Sequence, residues 1–167
     1  MRRGRVVALD ALHGRPAAAL LSDGRLEDLL VDPAPDDPAP RPEAIYRGRV
    51  TRLAPALGAV FLDLGDAAGW LRGTEARSGD AVVVQATRWA DPGKAAPLTD
   101  RPVLKGALAL LTPGAPGANV SRSVKGRERR ARLEALGAAA LDGADESVGV
   151  VLRTAAADAA EAAVGRE

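Results

Sequence analysis

The sequence has no cysteine and a single histidine, His13. The first absence excludes disulfides and thiolate zinc sites, and with one histidine a transition-metal site built from soft ligands is not expected. Aromatic residues are scarce too: Tyr46, Phe61, Trp70 and Trp89 make up only 2% of the chain, against an apolar content of 47%. The core must therefore be built from alanine, leucine and valine, and each ring matters more than it would in a richer sequence. An excess of charge of one sign is missing as well. With a net charge of +1, any affinity for nucleic acid has to come from local clustering. No long hydrophobic run is present, because Asp10 interrupts MRRGRVVALDAL before a signal-peptide core or a membrane span could form. A cytoplasmic protein without a membrane partner is expected.

Three of the four rings lie in residues 45–75, IYRGRVTRLAPALGAVFLDLGDAAGWLRGTE. Tyr46, Gly48 and Val50 alternate with Arg47, Arg49 and Thr51, which predicts a half-buried strand with a basic outer face. After a turn at Ala54-Pro55, Val60, Leu62 and Leu64 share one face and Phe61 and Asp63 the other. The aliphatic face is the better core. A hairpin through residues 65–69 returns Trp70 beside Phe61. Two rings beside a row of arginines make a stacking platform for single-stranded nucleic acid, and the competing reading is that the rings fill a barrel.

The rest of the chain falls into segments. Residues 5–12 alternate weakly, and residues 15–31 carry two apolar runs around Asp23-Gly24, a hairpin signal, so three short strands are expected, with His13 in a solvated turn. The stretch DPAPDDPAPRP is a linker, since proline keeps the chain extended and three aspartates discourage packing. Gly79-Asp80 opens a strand over residues 81–85, and a loop with Trp89 and Pro92-Gly93 ends in Lys94. Pro97 makes the next strand an edge or shorter than usual. Residues 103–113, VLKGALALLTP, read as a buried apolar strand. Residues 120–132, VSRSVKGRERRAR, form a dense cationic run, which either tracks a phosphate backbone or is the solvated face of a helix spaced by Leu133, Leu136 and Leu141. Cations at that helix start oppose its dipole, a cost that an anion would relieve. Residues 147–154, SVGVVLRT, are a strand ending in Arg153, and the alanine-rich segment after them predicts a helix capped by Thr154. An arginine, a hydroxyl and helix amides aimed at one spot would form an anion site; the alternative is a salt bridge and an ordinary cap.

The pattern Gly48-x-Val50, Gly58-x-x-Phe61-Leu62-Asp63-Leu64-Gly65, Gly69-Trp70-Leu71 and Thr74-Glu75 resembles the S-one RNA-binding domain, an OB fold. More narrowly, residues 45–65 resemble the opening of that domain in the ribonuclease E/G family of bacterial endoribonucleases. Gly149 to Ala155 matches, in residue type, the family's sensor of an RNA 5′-monophosphate. The resemblance implies an α+β, mainly β chain: opening strands of an RNase H-like subdomain (1–32), the linker (33–42), a five-stranded S-one-like OB barrel (43–102) and a partial α/β 5′-sensor region (103–167). It implies single-stranded RNA as partner, contacted by Phe61, Trp70, Lys94, Arg47, Arg49 and Arg122. The 5′-phosphate would be held by Arg153 and Thr154, with the pocket framed by the backbone of Gly106 and Leu110. Departures occur where Ala95 replaces a family glycine after Lys94 and Ser123 replaces a second arginine after Arg122.

The family cleaves RNA with paired magnesium-holding aspartates and joins protomers through a shared zinc, both on segments that this sequence does not match. No catalytic residue, metal or cofactor is therefore expected in this chain, which by itself should not cut RNA. It is expected to be a truncated member or fragment, a degenerate remnant, or a chain completed by another polypeptide or by a homo-oligomer. The competing expectation is the front half of an active magnesium-dependent endoribonuclease.

Overall fold

Two pairs of left-handed residues shape the first sheet. His13 and Gly14 have φ of 51° and 76°, and Asp23 and Gly24 have 49° and 82°, as two-residue hairpin turns of the primed type require. They join β1 (Arg5–Leu12), β2 (Arg15–Ser22) and β3 (Arg25–Val31) into an antiparallel sheet in chain order, the three strands that the sequence predicts. The structure, a computed structural model, describes residues 4–164. It divides into two compact units at Pro38/Ala39, within the proline- and aspartate-rich stretch. In the first unit Val7, Leu9 and Leu30 are exposed on one face of the sheet and Leu12 and Leu29 on the other. The buried cores among the described residues lie in the second unit.

That unit starts with a barrel made of β4 (Ile45–Ala54), β5 (Ala59–Asp63), β6 (Ala68–Arg72), β7 (Ala81–Ala86) and β8 (Ala96–Thr99). It closes in the order β4-β5-β6-β8-β7, with β6 and β8 parallel and the other pairs antiparallel. A closed five-stranded barrel of this kind is an OB fold. Val50, Leu62, Leu71 and Val84 are fully buried at its centre. With so few large side chains available, small residues let the walls approach: a Cβ on Gly69 would fall 2.3 Å from Leu98 Cδ1. Pro97 sits inside the closed barrel and so does not mark an edge. Its strand is short instead, four residues, and its carbonyl accepts bonds from the Thr87 amide and hydroxyl at 3.0 and 3.1 Å.

A second sheet follows, from β9 (Leu104–Lys105), β10 (Ala109–Pro113), β11 (Gly117–Val120) and β12 (Val148–Leu152), ordered β11-β12-β10-β9. Residues 103–113 are thus not the single buried strand that their apolar content predicts. They fold back on themselves, with Leu110 opposite Lys105 and the Gly106 amide donating to the Ala109 carbonyl at 2.9 Å. Helix α1 (Arg127–Ala140) packs on this sheet through the fully buried Leu133. The buried Gln85 links barrel and sheet, its amide nitrogen donating to the Glu43 and Val103 carbonyls, both at 3.0 Å, while its oxygen accepts from the Val103 amide at 2.9 Å.

The segment after β12 also differs from expectation. It is a 3-10 helix (Thr154–Asp158) followed by the short α2 (Glu161–Val164), and the capping position is held by Arg153, with no side-chain capping bond. Thr154 lies one residue inside. Burial of Ala156 and Ala157 against the sheet and α1 holds these alanines in the tighter helix, overriding their α-helical propensity.

Candidate nucleic-acid interface

Strict alternation along β4 would send Arg52 inward with Val50. A charged residue there would have no partner in the aliphatic core, and the strand avoids this with a bulge: the register with β5 shifts between Val50 and Arg52. Arg52 thereby joins the outer face. One cross-strand row then runs over the barrel, Arg52 opposite Phe61, Phe61 opposite Trp70 and Trp70 opposite Pro97. Both rings are half-buried. The Arg52 guanidinium lies 4.0 Å from the Phe61 ring centre and that of Arg72 lies 4.9 Å from Trp70, within range for cation–π attraction.

Beside this row is an open cavity of about 470 Å³, lined by Phe61, Trp70, Arg72, Arg88, Asp91 and Lys94 among others. The loop between β7 and β8 supplies its charged side. Lys94 Nζ donates to Asp91 Oδ2 at 3.1 Å, and Arg88 lies 3.7 Å from Asp91 Oδ1. The hydrogen bond from Lys94, its charge and that of Arg88 hold the Asp91 carboxyl below the usual carboxylate range. Aromatic faces, three cations and one carboxylate thus share one concavity.

The remaining barrel cations lie elsewhere. Arg49 is opposite Asp63 and donates to the Gly79 carbonyl at 2.9 Å, while Arg47 is opposite Val83. Neither lines the cavity. The arginines over the rings are Arg52 and Arg72. The signal for Arg52 was present in the sequence, since an arginine at a core-parity position requires a break in alternation.

In the second sheet, topology gathers the other predicted residues. β11 and β12 run parallel, so Ser121 and Arg122 leave one strand at the edge where Arg153 and Thr154 leave the other. β10 is antiparallel to β12 and begins at that edge, bringing the Gly106 turn alongside. The contacts follow from this arrangement: Arg153 Nη1 donates to the Gly106 carbonyl, the Arg153 amide donates to the Leu108 carbonyl at 2.7 Å, and the Ser121 and Thr154 hydroxyls are 3.4 Å apart. Leu110 is one step inside, paired with Val151. Crevices beyond the carboxyl ends of parallel strands are recurrent ligand sites.

Of the cationic run, part is structural. Arg130 donates to the Ser121, Val124 and Val120 carbonyls, and Arg132 to the Ala157 carbonyl at 2.7 Å. Arg129 faces Asp158 at 3.7 Å. Arg122 is exposed, and with Lys125 and Arg127 it lines a shallow basic groove beside the start of α1. Among the described residues no group of three histidine, aspartate or glutamate side chains is placed to hold a metal ion. No described helix is long and apolar enough to cross a membrane.

No family model matches the chain. Among curated proteins it is similar to ribonuclease E of Escherichia coli strain K12, 30% identical over 160 residues that cover 82% of this chain and 15% of that protein. Ribonuclease E of Haemophilus influenzae is 32% identical over 160 residues, covering 82% of this chain and 17% of that one. Ribonuclease G of Escherichia coli strain K12 is 29% identical over 143 residues, 71% of this chain and 29% of that one. The chain therefore spans less than a third of the length of these relatives.

Proposed function

This chain is related by sequence to the ribonuclease E/G family, and from that premise we propose that it is the RNA-binding and 5′-end-sensing portion of an endoribonuclease acting in RNA processing and decay. The observation that carries the proposal is the paired rings. Phe61 and Trp70 stand in register on the outer face of an OB barrel, flanked by cations and open to a cavity, which suits unstacked bases of single-stranded RNA. Bases stack on the rings. Lys94 and Arg88 at the cavity, and Arg47, Arg49 and Arg122 farther out, attract the phosphates.

The edge of the second sheet takes the RNA 5′ end. Arg153 is oriented by its bond to the Gly106 carbonyl, and its other guanidinium N–H groups offer paired donors to a terminal phosphate. The Thr154 hydroxyl, next to that of Ser121, adds a further donor. Gly106 and Leu110 form the backbone wall of the pocket. The test is the affinity of the chain for one single-stranded RNA carrying either a 5′-monophosphate or a 5′-hydroxyl. The monophosphate should bind more tightly, and equal affinity would remove the sensor role.

A second reading is supported by the relatives' length, of which this chain spans 15% to 29%. In it the chain is the front part of a magnesium-dependent nuclease whose cleaving carboxylates lie on other residues. The two are separated by supplying those residues: magnesium-dependent cleavage that appears only when the chain is mixed with a polypeptide read from the DNA downstream supports this reading, retained binding with no cleavage in the mixture supports the binding module, and cleavage by the chain alone overturns both.

A further inference from the structure

A carboxylate is out of place in a cavity built to attract phosphates. Asp91 nevertheless lies in the wall with the two rings, and two of the cavity's cations, Lys94 and Arg88, are turned onto it at 3.1 and 3.7 Å. Each ion pair weakens what that cation can offer a phosphate, and the carboxylate repels one directly. For affinity alone the group is a disadvantage, so its value must lie in what it distinguishes.

We propose that Asp91 reads the base stacked on Phe61 and Trp70, and that the base it selects is guanine. The inference rests on the reading of this cavity as the RNA interface. Single-stranded bases held on aromatic side chains present their Watson–Crick edges to neighbouring polar groups. Guanine offers two adjacent donors there, N1–H and the N2 amino group, which match the two oxygens of one carboxylate. Cytosine and adenine each offer one amino group next to a ring nitrogen acceptor, and uracil offers one N–H between two carbonyls. In those three the carboxylate meets at least one lone pair in place of a donor.

Asp91 can fill this role while its ion pairs persist. Lys94 donates a hydrogen bond to Oδ2 alone, and Arg88 contacts Oδ1 only at 3.7 Å, beyond hydrogen-bond length. Oδ1 keeps its acceptor capacity, and Oδ2 retains a second lone pair. The two cations fix the direction of the carboxylate. Lys94 and Asp91 thus have separate effects: the lysine attracts any RNA, and the aspartate sorts among bases.

The test uses 3′-labelled uridine hexamers with a 5′-hydroxyl and one central position set to G, A, C or U, titrated by fluorescence anisotropy. The wild-type chain should bind the G hexamer about fivefold more tightly than the U hexamer, the low end of what a bidentate base contact provides, given the exposure of the site. Asp91→Asn should bind all four within about twofold of one another, with affinity for the U hexamer unchanged or raised by the loss of repulsion. Lys94→Gln should weaken all four and keep a G preference, because Arg88 still holds the carboxylate. If the wild-type chain binds the four hexamers equally, or Asp91→Asn keeps the preference, the inference is overturned and the RNA interface stands. If none of the four binds, or binding survives replacement of both rings by alanine, the interface reading itself falls and this inference with it.

Discussion

Arg52 faces Phe61 across the β4–β5 ladder with its guanidinium 4.0 Å from the ring centre, a pairing that exists only because the strand bulges one residue earlier. Arg72, two residues along β6 from Trp70, places its guanidinium 4.9 Å from that ring's centre. Each ring of the platform therefore has its own cation. In the free chain these contacts orient the rings, and in the proposed RNA complex the same guanidiniums would stack on bases or meet phosphates.

Replacing Arg52 by alanine should separate these effects. The arginine is exposed, so loss of its contact with Phe61 should cost only about 0.5–1 kcal/mol of stability in urea unfolding. Affinity for single-stranded RNA should fall as well, with a shallower dependence on salt because one phosphate contact has gone. An unchanged salt slope would assign Arg52 to the fold alone.

Replacing Phe61 and Trp70 together by alanine should cost roughly 2–6 kcal/mol of RNA binding, at about 1–3 per stacked base. The barrel should stay folded, because its buried centre is formed by Val50, Leu62, Leu71 and Val84 on the opposite face of the strands. Circular dichroism checks the fold and titration checks the binding. A folded variant with wild-type affinity would remove the rings from the RNA interface, and a wild-type chain with no measurable affinity would mark it as a remnant.

Arg153→Ala should remove the preference for a 5′-monophosphate, a loss of about 1.5–3 kcal/mol if one charged donor pair carries it. Thr154→Val should have the smaller effect, because its hydroxyl caps no helix and lies beside Ser121, which remains to donate. Affinity for 5′-hydroxyl RNA should be nearly unchanged in both. A uniform drop for both RNAs would indicate a backbone contact and no end sensor.

The parts of the fold legible in the sequence were those written in period and turn chemistry. His13-Gly14 and Asp23-Gly24 announce their hairpins, and alternation through Tyr46, Gly48 and Val50 assigns the inner face of β4. The pairing of Phe61 with Trp70 followed from hairpin length. What escaped was set by breaks in those periods. The bulge before Arg52 moves an arginine to the other face, Gly106 turns one apolar run into two short strands, and burial of Ala156 and Ala157 converts a helix with good α propensity into a 3-10 turn. Asp91 was missed for a different reason. Its ion pairs with Arg88 and Lys94 are local, three residues to either side, but the rings that share its cavity lie on β5 and β6, distant in sequence, and no local pattern joins the loop to them.

Glycines in the second unit give a stability test. A Cβ at Gly149, the second residue of β12, would fall 2.0 Å from the Ala115 carbonyl oxygen and 2.8 Å from Thr112 Oγ1, and a backbone atom cannot step aside. A Cβ at Gly137 in α1 would meet Leu152 Cδ2 at 2.8 Å, the end of a side chain that can rotate. Gly149→Ala should therefore destabilise at or above the usual 1–3 kcal/mol of overpacking, and Gly137→Ala less. Equal losses in denaturant unfolding would contradict the close approach at Gly149.

Acid should weaken the turn before β12 in a defined direction. Asp145 Oδ1 accepts from the Ser147 hydroxyl at 2.6 Å and from its amide at 2.9 Å, and these two bonds hold the carboxyl below its ordinary value of 3.8. A carboxylate with a lowered folded-state pKa stabilises the fold above the unfolded value, and the contribution disappears as pH falls through the folded one. The thermal midpoint of the wild-type chain should therefore drop more steeply below about pH 4 than that of Asp145→Ala, with the two curves running parallel at neutral pH. Asp91 is held in the same direction by Lys94 and Arg88, so the pair Asp145→Ala and Asp145→Ala/Asp91→Asn should flatten the acid limb in two steps. Identical acid limbs in all three proteins would mean that neither carboxylate contributes to folding.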